Sequence, residues 1–299
     1  MARVLVTGIG GFTGPYMARA LAERGHEVVG TVHRVSDAAA VGDWPTVVAD
    51  LGDPAQLREA IARVRPEQVI HLAGISFVAT GDARLIYEVN LVGTVNLLEA
   101  LVTTGAPVDR VLLASSGNVY GLANTGELHE DLVPVPANHY GVSKLATEQV
   151  TRVMAHQLPI IVARPFNYFG VGQNRNFVIP KLVDHARKRR PRVSLGNIEV
   201  ARDFSDVRFV ADCYARLLES KAAVGGVFNV CSGRSHTLRH VIALIEELAG
   251  IHFEIEVDPA LIRQNEIAEL FGSCARLESV IGPVNPPALR DTLRWMLES

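Results

Sequence analysis

A chain of 299 residues, 48% apolar and 20% charged, has room for a large buried core and the composition of an ordinary globular protein, which excludes disordered and fibrous classes. A formal net charge of −3 provides no broad basic field, so nucleic acid is not expected as a primary partner; the run Arg187-Lys188-Arg189-Arg190 is local and reads as a solvated helix end. Cys213, Cys231 and Cys274 are odd in number and widely spaced, which fits reduced thiols and neither a zinc site nor a disulfide framework.

Residues 3–7 form a short β-branched and apolar run, Gly8, Gly11 and Gly14 punctuate the next stretch, TGIGGFTG, and residues 16–24 carry a helical pattern. Strand, glycine-rich turn and helix in that order predict a dinucleotide cradle that includes Phe12 and Thr13. Gly8 permits the tight turn, Gly11 lets a pyrophosphate approach backbone N–H groups, and Gly14 lets the helix pack closely. A second strand over 26–32 should end near the adenosine ribose. An acidic residue there would bond a 2′-hydroxyl, but the chain reads Thr31-Val32-His33-Arg34. Cations suit a 2′-phosphate, so NADP(H) is favoured over NAD(H), against the alternative that His33 and Arg34 form a solvated strand end. Asp50 and Leu51, after the apolar run 46–49, are candidates for the adenine edge, and Leu72-Ala73-Gly74 close the strand 68–72 beside the cofactor.

A helix is expected over about 82–104, then a strand over 110–115 that ends in Ser115-Ser116. Tyr140 and Lys144 follow in HYGVSK. At i and i+4 they share one helix face, where the ammonium is expected to lower the phenol's pKa. A serine at the tip of the preceding strand can hold the same carbonyl or carbinol oxygen while a nicotinamide exchanges hydride. Ser115, Ser116, Tyr140 and Lys144 therefore predict carbonyl/alcohol redox chemistry.

Alternation through about residue 165 requires an α/β, Rossmann-type doubly wound parallel sheet, with residues 1–165 as the dinucleotide-binding domain. The remainder, 166–299, reads mainly as a smaller C-terminal α/β substrate lobe, interleaved through a returning strand near 227–231. It should hold a Gly- and Asn-rich loop over 167–173, helices over about 177–188, 207–219, 237–249 and 287–297, and strands near Val193 and over 252–256. No apolar stretch is expected to reach the ~20 residues of a membrane span, and strand one begins at once, so a cytoplasmic protein without membrane contact is expected.

The whole chain resembles the extended short-chain dehydrogenase/reductases that act on nucleotide sugars, through TGIGGFTG, HLAG, SSGNVYG, YGVSK, ARPFN and FNVCSG. Within them it is similar to the branch that reduces GDP-linked 4-keto-6-deoxy hexoses, neighbour of the GDP-mannose 4,6-dehydratases, through ARPFNYFGVGQ, NFVIPKLV, GNIEVARDFSDV and RQNE. The resemblance implies that Ser116 is the catalytic hydroxyl, Tyr140 the proton donor and Lys144 the lysine that also holds the nicotinamide ribose. It implies substrate contacts from Ser76, Asn118, Asn167 and Asn176, guanine contacts from Val178 and Lys181, diphosphate contacts from Arg202 and Arg263, and a ribose or base contact from Glu266. Arginine forks and a carboxylate suit those partners. The bland alternatives are an Arg202 ion pair with Asp203 or Asp206 and a solvated Glu266.

The dehydratases of this family carry an acidic residue just after the catalytic serine or threonine, where this chain has Asn118. An amide cannot act as the base of an elimination, whereas ketone reduction needs only Ser116, Tyr140 and Lys144. The chain also departs from its relatives at His139 and Tyr168. The expectation is therefore a reductase forming GDP-D-rhamnose or an epimer, with a 4-epimerase of retained cofactor, a dehydratase and a catalytically silent cofactor-sensing protein as alternatives. The family further implies a homodimer through the helices 82–104 and 139–157.

Overall fold

The computed structural model describes residues 1–76, 82–122, 124–262 and 267–299. The first half folds as β1 (Arg3–Thr7), α1 (Gly14–Glu23), β2 (Glu27–Val32), β3 (Thr46–Val48), α2 (Pro54–Val64), β4 (Gln68–His71), α3 (Ala83–Tyr87), α4 (Gly93–Thr103), β5 (Arg110–Ala114), β6 (Glu127–Leu128), α5 (His139–Met154) and β7 (Ile160–Pro165). It continues with β8 (Asn167–Phe169), α6 (Val178–Arg187), β9 (Arg192–Leu195), β10 (Ala201–Asp206), α7 (Val207–Glu219), β11 (Val227–Val230), β12 (Ser235–Thr237), α8 (Leu238–Ala249), β13 (Glu254–Val257), β14 (Glu269–Gly272), α9 (Ala275–Ile281) and α10 (Leu289–Glu298).

Seven parallel strands form the main sheet in the order β11-β7-β5-β4-β1-β2-β3. The strand order reverses between β1 and β4, and in such sheets the ligand crevice opens outside the carboxyl ends at that switch point. Side-chain alternation divides β1 between two cores. Val4 and Val6 pack with Met17 and Leu21 of α1 and Tyr214 of α7, while Leu5 packs with Ile61 of α2 and Leu97 and Leu101 of α4. Both faces are covered by helices, which is why these strands read as continuous apolar runs. β11 returns to pair with β7, and α7 lies on the same sheet face as α1.

A smaller region is built on β10, which runs antiparallel to β12 and parallel to β14 and β8; β14 continues to β6, and β9 pairs with β13. Leu182 of α6, Val241 and Ile245 of α8 and Leu293 of α10 close on Phe204 and Phe169 in its core.

Two expectations change. The start of the segment 167–173 is a strand rather than a loop, because the backbone of Asn167–Phe169 finds partners in Phe204, Ser205 and Asp206 of β10. The helix Ala83–Thr103 has 21 residues and is long and apolar enough by composition to cross a membrane, contrary to the sequence reading. Its Leu97, Leu98 and Leu101 are buried in the core of the main sheet, as in a core helix. That helix is interrupted by a π-helical turn at Glu88–Val92, which turns Asn90 inward.

Candidate active site

The glycine-rich turn is shaped by contacts only glycine tolerates. Gly8 has φ +70°, and a Cβ there would lie 2.8 Å from the Ala73 Cα; at Gly14 it would lie 2.0 Å from the Ile9 carbonyl oxygen. The turn is thereby held against the segment after β4, and α1 starts with its unpaired N–H groups at the mouth of the cleft. Behind it, the neutral His71 ring bridges Thr7 Oγ1 (2.7 Å) and Thr94 Oγ1 (2.9 Å), and burial pushes its pKa down to about 3.

A cleft of about 450 Å³ runs from this turn to the end of β8. Gly8, Gly11, Phe12, Thr13, Gly14, Leu72 and Gly74 line its cofactor side; Ser115, Ser116, Tyr140 and Lys144 line its middle; Ser76, Asn118, Asn167 and Asn176 line the far side. The turn's glycines, the free helix N-terminus and this groove fit a dinucleotide pyrophosphate. His33, Arg34, Asp50 and Leu51 stand outside the cleft, beyond the carboxyl ends of β2 and β3. His33 Nε2 is 3.0 Å from Asp50 Oδ2, and the Arg34 side chain is exposed.

Asn138 caps α5 by accepting from the Gly141 N–H (2.9 Å), so Tyr140 falls in the first turn and Lys144 one turn deeper. Ser116 Oγ accepts from both the backbone and side-chain N–H of Asn118 at 3.1 Å, and Ser116 lies close enough to the Tyr140 phenol to act on its pKa. Lys144 Nζ donates to the Ala114 carbonyl at 2.8 Å and lies 6.0 Å from the Tyr140 ring centre. The expected lowering of the phenol's pKa is corrected here: burial pushes Tyr140 up to about 12, outweighing the opposing bond from Ser116. Burial also brings Lys144 down to about 8, against the pull of Glu148.

Ser115 is corrected as well. Its hydroxyl donates to Glu148, turned away from Tyr140, and Glu148 is held by Arg164 at 2.7 and 2.9 Å in a buried ion pair. Arg164 continues to Tyr120 (3.0 Å) and Tyr120 to Asn229 (2.7 Å). Ser115 thus anchors the loop that presents Ser116.

Sequence reasoning missed Asn90. Its side chain accepts from the Ile75 N–H (2.7 Å) and donates to the Ile75 carbonyl and to Ser143 (both 3.1 Å), fastening the 72–76 segment to α5 between Tyr140 and Lys144. A polar residue amid the apolar positions of the helix, between Val89 and Leu91, was its signal in the sequence. Phe166, Gln173, Asn174 and Phe177 also line the cleft without having been singled out.

Among the described residues, the nucleotide contacts implied by the resemblance do not line this cleft. Val178, Lys181 and Arg202 lie beyond its lining. Lys181 Nζ donates to the Ser194 carbonyl, and Arg202 donates to the carbonyls of Ala201 (2.7 Å) and Ala268 (3.2 Å). Arg263 and Glu266 fall outside the described residues.

A doubly wound sheet with a serine, a tyrosine and a lysine converging beside a dinucleotide turn defines a nicotinamide-dependent oxidoreductase site. The model of the NAD dependent epimerase/dehydratase family matches residues 4–231, and the chain belongs to that family. It is 36% identical to the GDP-6-deoxy-D-mannose reductase of Pseudomonas aeruginosa, over 99% of this chain and 96% of that protein. It is 32% identical to the GDP-6-deoxy-D-talose 4-dehydrogenase of Aggregatibacter actinomycetemcomitans, over 94% and 91%. Among solved structures, RMD from Pseudomonas aeruginosa complexed with NADPH matches with a TM-score of 0.83 at 34% identity, covering 100% of this chain and 98% of that one.

Proposed function

We propose that this protein reduces the C4 ketone of a GDP-linked 4-keto-6-deoxy hexose to the alcohol, with NADPH preferred to NADH. The observation that carries this reading is the convergence of Ser116, held by two bonds from Asn118, with Tyr140 in one cleft, and Lys144 one helical turn below. The bound nicotinamide supplies the hydride to C4. Tyr140 gives its proton to the oxygen, and Ser116 holds that oxygen and the phenolate left behind. Lys144 adds a positive charge beside the phenolate. A phenol raised by burial is fully protonated near neutral pH, the state a reductase needs at the start of its cycle.

Asn118 supports reduction over dehydration, because it offers no ionisable group to move protons at C5 and C6. The two GDP-sugar relatives support guanosine diphosphate as the carrier and GDP-D-rhamnose or its C4 epimer as product. Arg202, Arg263 and Glu266 are the proposed nucleotide contacts, and His33 and Arg34 the proposed 2′-phosphate contacts. In this reading the enzyme is a cytoplasmic homodimer, supported by the apolar residues left exposed on the paired helices, Leu85, Val92, Val142 and Val153. Light scattering that returned a clean monomer at micromolar concentration would remove the dimer.

Thermal-shift measurement with GDP, UDP, dTDP and CDP tests the carrier. GDP should raise the melting temperature in proportion to its affinity and the others much less. Equal shifts for all four would remove GDP from the reading.

A further inference from the structure

Three aromatic or hydroxyl side chains of the glycine-rich turn and α1 reach across to the segment that follows β7. Thr13 Oγ1 lies 2.9 Å from the Tyr168 hydroxyl, the Phe12 ring stacks on Tyr168 with centres 5.9 Å apart and planes 15° from parallel, and Tyr16 donates to the Val171 carbonyl at 2.7 Å. The two hydrogen-bonded pairs are each 155 residues apart in sequence. Tyr168 sits in β8 next to Asn167. Both line the cleft, Tyr168 against the turn through Thr13 and Phe12 and Asn167 beside it. The Tyr168 carbonyl also accepts from the Gln173 side chain at 3.1 Å, which holds the start of the stretch leading to Asn174 and Asn176.

A pyrophosphate on the turn fixes Phe12 and Thr13, and whatever fixes them fixes Tyr168. A second ligand that needs the same segment ordered then binds at a lower entropic cost. Resting on the reading above, we infer that Tyr168 is a positioning residue that carries cofactor occupancy of the turn to the substrate half of the cleft, so that cofactor and GDP-sugar bind cooperatively through the Thr13–Tyr168 bond. The coupling is reciprocal, as linkage requires.

Calorimetric titration of the full-length protein with GDP, with and without saturating NADPH, measures it. The wild type should bind GDP roughly fivefold or more tightly with NADPH present. Tyr168→Phe keeps the ring stack and deletes the hydroxyl. It should bring that ratio to about one, keep NADPH affinity of the free protein within about twofold, and raise the KM for the sugar more than it lowers kcat. Thr13→Ala should erase the same coupling from the other side, the double variant should lose no more, and Thr13→Ser should restore it. A wild-type ratio in Tyr168→Phe, or no ratio in the wild type, overturns the coupling while leaving the reductase reading intact. Failure of GDP to bind in either state overturns the nucleotide reading and the coupling with it.

Discussion

Asn118 donates twice to the Ser116 hydroxyl oxygen, from its backbone and from its side chain, each at 3.1 Å. With its oxygen accepting from both, the serine's own proton is left available to the phenol of Tyr140, whose pKa Ser116 acts to lower. A carboxylate at 118 would reverse the side-chain bond and draw that proton away. Asn118→Asp should therefore cut kcat about tenfold, the worth of one net hydrogen bond, and should not create a dehydratase. Steady-state rates on the ketone and product analysis with GDP-mannose check both halves.

The pH profile follows from Lys144, whose pKa burial lowers to about 8 from 10.5. In the proposed mechanism the Lys144 ammonium stabilises the developing phenolate and is present below pH 8, so kcat should fall as pH rises through that value. Stability runs the other way. Between about pH 8 and 10.5 the unfolded chain binds more protons at this site than the folded one, so the Lys144 contribution to stability rises with pH across that window. Urea unfolding in that range should lose this slope in Lys144→Met.

The glycine turn and the tyrosine–lysine pair are legible in the sequence because their chemistry depends on spacing alone. What depends on long-range packing is not. Which of two adjacent serines faces the phenol is decided by Glu148, reached only when α5 packs under β5 and β7. Asn90 turns inward only because the helix takes a π-helical turn there. The pKa of Tyr140 was misjudged because a charged neighbour can be counted from spacing, whereas burial, the larger effect, requires the fold. Lys181, implied at the nucleotide by the resemblance, bonds the Ser194 carbonyl, a contact set by the crossing of α6 and β9 that spacing could not show.

The Glu148–Arg164 pair, each side chain 3% exposed, supports the site from beneath. Removing one partner leaves a buried charge alone, so Arg164→Met should destabilise the protein by about 3–5 kcal/mol. Replacing both, as in Arg164→Met with Glu148→Leu, should recover much of the loss. Chemical denaturation of the two variants against the wild type measures this, and a double variant no better than the single one would show that the pair matters through its hydrogen bonds to Ser115 and Tyr120.

In the proposed reading cofactor preference rests on Arg34, exposed just past β2 with its backbone N–H bonded to Asp37 at 3.0 Å. Arg34→Ala should weaken NADPH by roughly 1–3 kcal/mol and leave NADH nearly unchanged, the loss of one charge-assisted contact. Fluorescence titration of both cofactors decides it; equal losses would make Arg34 a solvated strand end.

Cofactor stoichiometry tests the central claim, since a reductase consumes a reduced nicotinamide for every sugar while an epimerase or dehydratase regenerates its own. With the GDP-4-keto-6-deoxy hexose and NADPH, absorbance of the reduced nicotinamide should fall mole for mole with alcohol formed, and Tyr140→Phe should slow it about 10²–10⁴-fold. Conversion of GDP-mannose to the 4-keto sugar without added NADPH, or product formation with no net loss of NADPH, would contradict it.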